Sequence, residues 1–346
     1  MSKKTVTYVM VASLAATTAF AEGVVNVLTW EGYADASFID EFEAATSCTV
    51  SATYVGSNDD FAPKLAAGGG IYDLITPSID TTRLMIDAGF VEPIDTSRIA
   101  GWDDIYEKFR NHDGIQAEDE VYGMPYTWGA IAFMYLNDAF DTPPTSLADL
   151  WSEENAGRIA LWDDKSALYV AARLNGDTDI YNLTDEQIAA AQATLVMQKP
   201  LVRKYWSTAG ELVDLFAAGE VTISNTWAGY QSALLAEKGI EVTEFIPLEN
   251  SEGWMDSWMI VKGTENPDCA YEFLNMQLSE LGQCGVANVN GYSVANPVAA
   301  RNCMSKEQFA ALHQDDTGYL DGLLLWEPLG ARLEVYTNAW NAVKAR

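Results

Sequence analysis

The stretch SEGWMDSWMIV, residues 251–261, combines a core strand with a carboxylate that is out of place in a core. Its second half, residues 258–261, is apolar and predicts a buried strand. Side chains alternate along a strand, so Trp254, Asp256 and Trp258 are expected to share one face. Burying an unpaired carboxylate is costly, so Asp256 requires a positive partner. The identity of that partner bears on both fold and function.

The segments before this strand alternate between strands and helices. Apolar strands are predicted at 24–30, 49–55 and 72–78, and helices at 37–47, 59–70 and 81–89. A long strand at 126–136 leaves this set, and a second alternating set follows at 147–239. It includes a helix at 167–174 and another that opens with a Thr184/Gln187 capping box. Such repetition is typical of parallel sheets covered by helices on both faces. The stretch 251–261 would then be the return strand to the first set.

The chain length also favours two lobes. The 325 residues after residue 21 (346 − 21) exceed the roughly 250–300 at which single cores divide. We assign residues 22–130 and 256–301 to lobe 1, and residues 131–255 and 302–346 to lobe 2. The predicted fold class is α/β, each lobe having a mostly parallel sheet. Ligands of such sheets bind beyond the carboxyl ends of the strands, which places a ligand cleft between the lobes.

The N-terminus has the pattern of a cleaved export signal, residues 1–21. Lys3 and Lys4 precede an apolar run at 6–16, and Ala19-Phe20-Ala21 is a small-x-small cleavage site. The apolar run is shorter than the roughly 20 residues that span a membrane, so an anchor is disfavoured. The pattern predicts a periplasmic protein.

The charge is strongly negative. There are 50 acidic and 20 basic residues, a net charge of −30, which becomes −32 when Lys3 and Lys4 are removed. This charge repels nucleic acid and favours the approach of cations. An adaptation to a salty habitat would explain it equally well.

The four cysteines, Cys48, Cys269, Cys284 and Cys303, are an even number in an exported chain, which predicts disulfides. Three pairings are possible, and the closeness of Cys284 and Cys303 in the sequence favours that pair. The cysteine spacings match no zinc pattern, and the chain has only two histidines. No metal or other cofactor is expected.

Aromatic and acidic residues recur where the predicted strands end. They are Trp30, Glu31, Tyr33, Asp80, Trp162, Asp163, Asp164, Trp227, Tyr230, Trp254, Asp256, Tyr292, Trp326 and Glu327. Ser78, at the end of the third predicted strand, is added to this set. Aromatic faces and carboxylates together suit an ammonium ion, which would make the ligand the positive partner of Asp256. The alternative is that each Trp belongs to the core and each Asp caps a helix.

Several segments in order resemble a known family. LTWEGYADASFIDEF, YDLITPSID, YGMPYTWGAIAFMYLN, SLADLW, ALWDD, WMDSWMI and NGYSVANP are similar to segments of the periplasmic spermidine/putrescine-binding proteins of ABC transporters. The resemblance covers essentially the whole chain after residue 21. It implies a type II periplasmic binding protein with a hinged cleft, a cationic amine ligand and a membrane permease as partner.

The resemblance also implies ligand contacts for particular residues. These are Trp30, Tyr33, Ser78, Asp164, Trp227, Trp254, Asp256 and Tyr292. Another acid of the family falls at Ala167, which cannot hold an ammonium ion. Asp80, Tyr230 and Glu327 also depart from the family's usual residues, and with Glu31 they complete the expected ligand set. We expect both putrescine and spermidine to bind, with Asp80 or Glu327 as the far acid.

Two other functions compete with this one. Paired carboxylates with aromatic walls also occur in glycoside hydrolases, but the sequence has no Gly-x-Ser-x-Gly, His-Glu-x-x-His or P-loop motif, so an enzyme is not expected. Alternatively, the same fold would bind γ-aminobutyrate or a quaternary amine. A ligand with a carboxylate needs an arginine or a helix N-terminus in the cleft. Arg83, Arg158 and Arg173 are instead expected at the surface.

Overall fold

The computed structural model describes residues 22–68, 70–316 and 318–346, and the predicted export signal lies outside them. The strands are β1 (Glu22–Thr29), β2 (Ser47–Tyr54), β3 (Leu74–Ile75), β4 (Val91–Glu92), β5 (Gln116–Ala117), β6 (Glu120–Val121), β7 (Met124–Leu136), β8 (Ile159–Trp162), β9 (Val202–Trp206), β10 (Ile223–Trp227), β11 (Val242–Phe245), β12 (Glu252–Val261), β13 (Ser293–Val294) and β14 (Leu324–Leu325). The helices are α1 (Ala36–Ala45), α2 (Phe61–Gly68), α3 (Ile79–Asp87), α4 (Glu107–Arg110), α5 (Ala167–Leu174), α6 (Asp185–Gln198), α7 (Ala209–Ala217), α8 (Tyr230–Glu237), α9 (Pro267–Leu278), α10 (Glu280–Asn290), α11 (Pro297–Cys303), α12 (Lys306–Ala311), α13 (Gly318–Asp321) and α14 (Leu333–Lys344).

The main sheet has two parallel parts joined by two long antiparallel strands. Its path is β2-β1-β3-β12-β7-β10-β8-β9. β1 pairs in parallel with β2 and β3, and β8 pairs in parallel with β9 and β10. Between these parts, β12 and β7 are antiparallel. The predicted fold class, two α/β lobes with long connecting strands, is confirmed. The predicted lobe boundaries fall within β7, β12 and α11 and stay a prediction.

Local sequence explains why the helices form where they do. Phe38, Ile39 and Phe42 of α1 lie on one helical face and are buried. At the start of α6, the Thr184 side chain accepts from the Gln187 amide, and the Gln187 side chain accepts from the Thr184 amide. This confirms the predicted capping box. In the part of the chain that the structure describes, no helix is long and apolar enough for a membrane span.

The strand β12 differs from the expectation in one respect. All ten of its residues are buried, but the pairing with β7 shifts register between Asp256 and Ser257. This irregularity interrupts the alternation on which the shared face of Trp254, Asp256 and Trp258 depended. Trp258 packs instead against Phe273, with ring centroids 5.0 Å apart.

Two disulfides involve the four cysteines. Cys284–Cys303 joins α10 to α11, which confirms the favoured pair, and Cys48–Cys269 joins β2 to α9. The second pair follows from the first, because only two cysteines remain. Among the described residues, no group of His, Cys, Asp and Glu is arranged to hold a metal ion.

Candidate functional site

A small cavity lies where strands of both lobes end. Its lining residues are Trp30, Tyr33, Ser78, Ile131, Trp162, Trp227, Trp254, Asp256, Tyr292 and Trp326. Most of them follow from strand geometry: Trp162 and Trp227 end β8 and β10, and Trp30 comes directly after β1. The cavity therefore occupies the position at which open α/β sheets bind ligands.

The walls of the cavity are aromatic rings that hold one another edge to face. The rings of Trp30 and Trp227 are 5.8 Å apart at 74°, and those of Trp162 and Trp227 are 5.4 Å apart at 88°. The indole N–H groups of Trp30 and Trp162 donate to backbone carbonyls, at 2.8 and 2.7 Å. These two donors are committed to the protein, so both rings act on a ligand through their π-systems.

Gly129 leaves space for the side chain of Trp254, another residue of the cavity wall. A Cβ atom at Gly129 would lie 2.8 Å from Cζ2 of Trp254. The Trp254 ring therefore rests on the bare backbone of β7, while its other contact is the ring of Tyr292, 4.8 Å away. A side chain at position 129 would push this indole out of place.

Asp256 is the charged group of the cavity, and it is 4% exposed. Its Oδ1 accepts from the Ser78 hydroxyl and its Oδ2 from the Tyr33 hydroxyl, both at 2.6 Å. Because the single hydroxyl hydrogen of Tyr33 is used in the bond to Asp256, the Thr127 hydroxyl is the donor in its hydrogen bond with the Tyr33 oxygen. Burial raises the pKa of Asp256 to about 7, although both hydrogen bonds lower it.

None of the ion pairs among the described residues includes Asp256. The lining residues that the structure describes include no Lys, Arg or His. The cavity thus has one buried carboxylate, two hydroxyl donors that orient it, and aromatic rings around it. This combination suits a cation and is unfavourable for an anion.

A second group of acids lies outside the cavity and has its own cation. The Lys165 Nζ, fully buried, lies 3.0 Å from Asp80, 3.9 Å from Asp59 and 4.0 Å from Asp164. Burial lowers the pKa of Lys165, but the three carboxylates raise it further, so its pKa is above the ordinary value and the ammonium stays charged. We call these four residues the lysine cluster.

The lysine cluster lies behind one wall of the cavity. The Tyr169 hydroxyl donates to Asp80 at 3.3 Å, and the Tyr169 ring is 6.5 Å from that of Trp326. Asp164 accepts from the Ser57 hydroxyl at 2.7 Å and from the Asn58 amide at 3.3 Å. Since Ser57 and Asn58 precede α2 whereas Asp164 precedes α5, these contacts join the two lobes.

The structure brings together seven of the predicted ligand residues. Those that line the cavity are Trp30, Tyr33, Ser78, Trp227, Trp254, Asp256 and Tyr292. Asp80 and Asp164 lie in the lysine cluster, where their carboxylates contact protein groups. Their expected contact with an amine stays a prediction, and in this structure Lys165 lies next to both carboxylates.

Three further predicted residues also lie outside the lining. Glu31 accepts a hydrogen bond from the Ala209 amide at 2.9 Å, at the start of α7. Tyr230 is buried behind Tyr292, with ring centroids 6.2 Å apart. Glu327 comes directly after the buried Trp326 and is exposed to solvent. The structure gives these side chains positions away from the cavity.

Sequence reasoning omitted three lining residues from the ligand set, Ile131, Trp162 and Trp326. Trp162 and Trp326 show the signal that identified the others, an aromatic residue at a strand end followed by an acid. Ile131 lies within the long strand β7 and has no such signal.

Comparisons with known proteins agree with this geometry. The family model for bacterial extracellular solute-binding proteins matches residues 37–313. The spermidine/putrescine-binding periplasmic protein of Escherichia coli is 29% identical over 326 residues, covering 91% of this chain and 90% of that protein. Its name describes a binding protein, which confirms the expectation that the chain is not an enzyme.

Solved structures show the same fold. The TpPotD lipoprotein of Treponema pallidum is 24% identical with a TM-score of 0.79, covering 93% of this chain and all (100%) of that one. The binding protein MotA of A. tumefaciens, in complex with glucopine, is 19% identical with a TM-score of 0.77, covering 92% and 99%. At these identities the likeness concerns the fold alone, and the ligand must be argued from the cavity.

Proposed function

Since the chain belongs to the family of bacterial extracellular solute-binding proteins, we propose that it captures a small cationic amine for an ABC importer. The ligand would enter the cleft between the lobes and be released to a membrane permease. The spermidine/putrescine-binding name of the Escherichia coli relative supports an amine as the ligand.

The observation that carries the proposal is the state of Asp256. Its carboxylate is buried, is oriented by Ser78 and Tyr33, and takes part in no ion pair of the described residues. A bound ammonium ion would supply the missing charge and make a charge-assisted hydrogen bond. Each desolvated cation–π contact with the tryptophan walls adds roughly 0.5–2 kcal/mol.

Contacts between the lobes support a cleft that closes over its ligand. Asp164 of lobe 2 bonds to Ser57 and Asn58 of lobe 1, and the Trp162 indole donates to the Gly56 carbonyl. Lys165 of lobe 2 also contacts Asp80 and Asp59 of lobe 1, so a hinge movement in β7 and β12 that opens the cleft would break these contacts together. Lobe 1 is residues 22–130 and 256–301, and lobe 2 is residues 131–255 and 302–346.

Delivery to a permease requires a place outside the cytoplasm. The pattern of residues 1–21 supports export to the periplasm with cleavage after Ala21. The mass of the protein recovered from a periplasmic extract tests this directly. A chain that retains residues 1–21 would argue against cleavage.

Calorimetric titration with putrescine, cadaverine, spermidine, choline and γ-aminobutyrate tests the proposed function. We expect at least one purely cationic amine to bind, and γ-aminobutyrate to bind more weakly because the described lining residues include no cationic side chain to pair with its carboxylate. Binding of γ-aminobutyrate in preference to every cation, or of none of the five compounds, would contradict the proposal.

A further inference from the structure

We infer that the site selects an ammonium ligand with a single positive charge, because the cavity lining has one acid and the neighbouring acids already contact Lys165. The inference rests on the proposed function and names its substrate class. A monovalent alkylammonium or methylated ammonium ion has this chemistry, whereas putrescine and spermidine have two and three charges.

The first support is the composition of the cavity. Asp256 is the one acid among the described residues that line it. Trp30, Trp227 and Trp254 are at most 6% exposed, so a ligand enclosed by them meets aromatic carbon on most sides. A second ammonium in this space would be desolvated without a counter-charge, which is strongly unfavourable.

The second support is that the neighbouring acids are already engaged. Asp80 contacts Lys165 and accepts hydrogen bonds from Thr81 and Tyr169. Asp164 accepts from Ser57 and Asn58 with one oxygen, and from the Ser166 amide at 2.8 Å with the other.

The third acid of the cluster is engaged in the same way. Asp59 accepts from the Thr337 hydroxyl at 3.0 Å and lies 3.9 Å from Lys165. An incoming ammonium would therefore have to displace protein donors and would approach a buried lysine of the same charge. Both effects oppose a second positive charge at this end of the cavity.

One other buried acid has to be considered. Glu252 is 2% exposed and lies four residues before Asp256 on β12, and its Oε2 has no hydrogen-bond partner within the described chain. It does not line the cavity, and Gly253 beside it pairs with β14. Burial raises the pKa of Glu252 to about 8, so a neutral carboxyl group is expected there at pH 7.

A matched pair of ligands tests the inference in the unmodified protein. Butylamine and putrescine have the same four-carbon chain and differ by one ammonium, and tetramethylammonium adds a methylated cation. We expect butylamine or tetramethylammonium to bind at least about tenfold more tightly than putrescine. Putrescine binding as tightly as both monovalent ions overturns the inference and leaves the proposed function standing. Absence of binding by all three, and by spermidine, overturns the proposed function.

Variants then assign the effect to Lys165. In Lys165→Met the ratio of putrescine to butylamine affinity should rise at least about tenfold, since the cluster loses its own cation. Lys238→Met removes an exposed lysine and should leave the ratio unchanged. An unchanged ratio in Lys165→Met overturns the role of the lysine. A selective loss of putrescine binding in Glu252→Gln would also overturn the inference, and the wild-type ratio decides if Lys165→Met fails to fold.

Discussion

Two buried acids, Asp256 at the cavity and Asp80 in the lysine cluster, meet the same physical problem in two ways. Asp256 is buried with two hydroxyl donors and without a cation from the described chain. Asp80, by contrast, is buried against the Lys165 ammonium at 3.0 Å. In the second case the charge is balanced within the fold, whereas in the first the balance is left to a ligand. A buried carboxylate therefore indicates a binding site only when the protein does not supply its partner.

The difference predicts that removing each charge affects a different property. The Asp256 charge serves ligand binding and makes burial less favourable in the free protein. The positive charge of Lys165 stabilises the contacts between the lobes. The contrast between the two positions would be wrong if substitutions at both changed the same measured property, either ligand affinity or stability.

Asp256→Asn should have the largest effect on binding. It preserves the shape of the side chain but leaves a bound ammonium without its counter-ion. Breaking a buried ion pair costs about 3–5 kcal/mol, so the affinity should fall by roughly a hundredfold or more. Calorimetry with the tightest amine of the panel measures this loss, while the free energy of unfolding should change by less than about 1 kcal/mol. Glu327→Gln, at the exposed position, is the control and should bind normally. A loss below about threefold in Asp256→Asn would show that this carboxylate is not the cation's partner.

Lys165→Met should have the next largest effect, and on stability. The substitution keeps an unbranched side chain, one atom shorter, but leaves three acids without their shared cation. We expect the free energy of unfolding in urea to fall by about 3 kcal/mol. Lys238→Met should change it by no more than about 0.5 kcal/mol, since its pair with Asp214 is exposed. Equal stability of the two variants would mean that the lysine cluster contributes nothing through its charge.

The aromatic wall should contribute through ring area. Trp254→Ala should weaken amine binding by about 1.5 kcal/mol or more, and Trp254→Phe should retain most of the affinity. The half-buried Trp151, which lies outside the cavity, is the matched control for the alanine substitution. If Phe and Ala reduced the affinity equally, the indole N–H rather than the ring face would be the important group.

The pH dependence of binding should have the smallest effect. Since burial raises the pKa of Asp256 to about 7, the free protein holds a proton there at lower pH, and a cation must displace it. Affinity should therefore decrease as pH falls below 7, and be about tenfold weaker at pH 6 than at pH 8. Tetramethylammonium is the suitable ligand, because its own charge does not titrate.

Asp59 is the control for this measurement, since burial raises its pKa to about 6, within the same range. Asp59→Asn should therefore keep the decrease. A flat pH profile in the wild-type protein would mean that Asp256 is ionised throughout this pH range. Burial would then raise the pKa of Asp256 less than the contrast with the lysine cluster requires.

Local signals explain how much of the fold was predictable. Helix α5 occurs at the predicted residues 167–174, and α6 begins at its predicted capping box, because both depend on neighbours in the sequence. Strand β9 was missed: Arg203 and Lys204 point to solvent, and this edge strand has too few apolar residues to show a pattern. The β3 strand is shorter than expected, since only Leu74 and Ile75 pair.

In the site, too, the features that depend on local sequence were predictable and those that depend on tertiary contacts were not. Aromatic and acidic residues at strand ends predicted most of the cavity lining, since strand ends of one sheet meet in space. Lys165 follows two aspartates, a context typical of a solvated loop, and no sequence signal indicates its burial. Its partners Asp59 and Asp80 come from a distant part of the chain. Which acids remain available to a ligand therefore depended on tertiary contacts.

The Cys48–Cys269 disulfide has a consequence for the order in which the molecule assembles. Its two cysteines are 221 residues apart, and β12, which pairs with β3, also comes late in the chain. A chain that emerges from its N-terminus therefore presents β1, β2 and β3 long before their last partner is available. The intervening segment, with its own parallel strands, can fold first. The lobe that begins the sequence thus stays incomplete until the chain returns through β12 and α9, and oxidation of this cysteine pair marks that return.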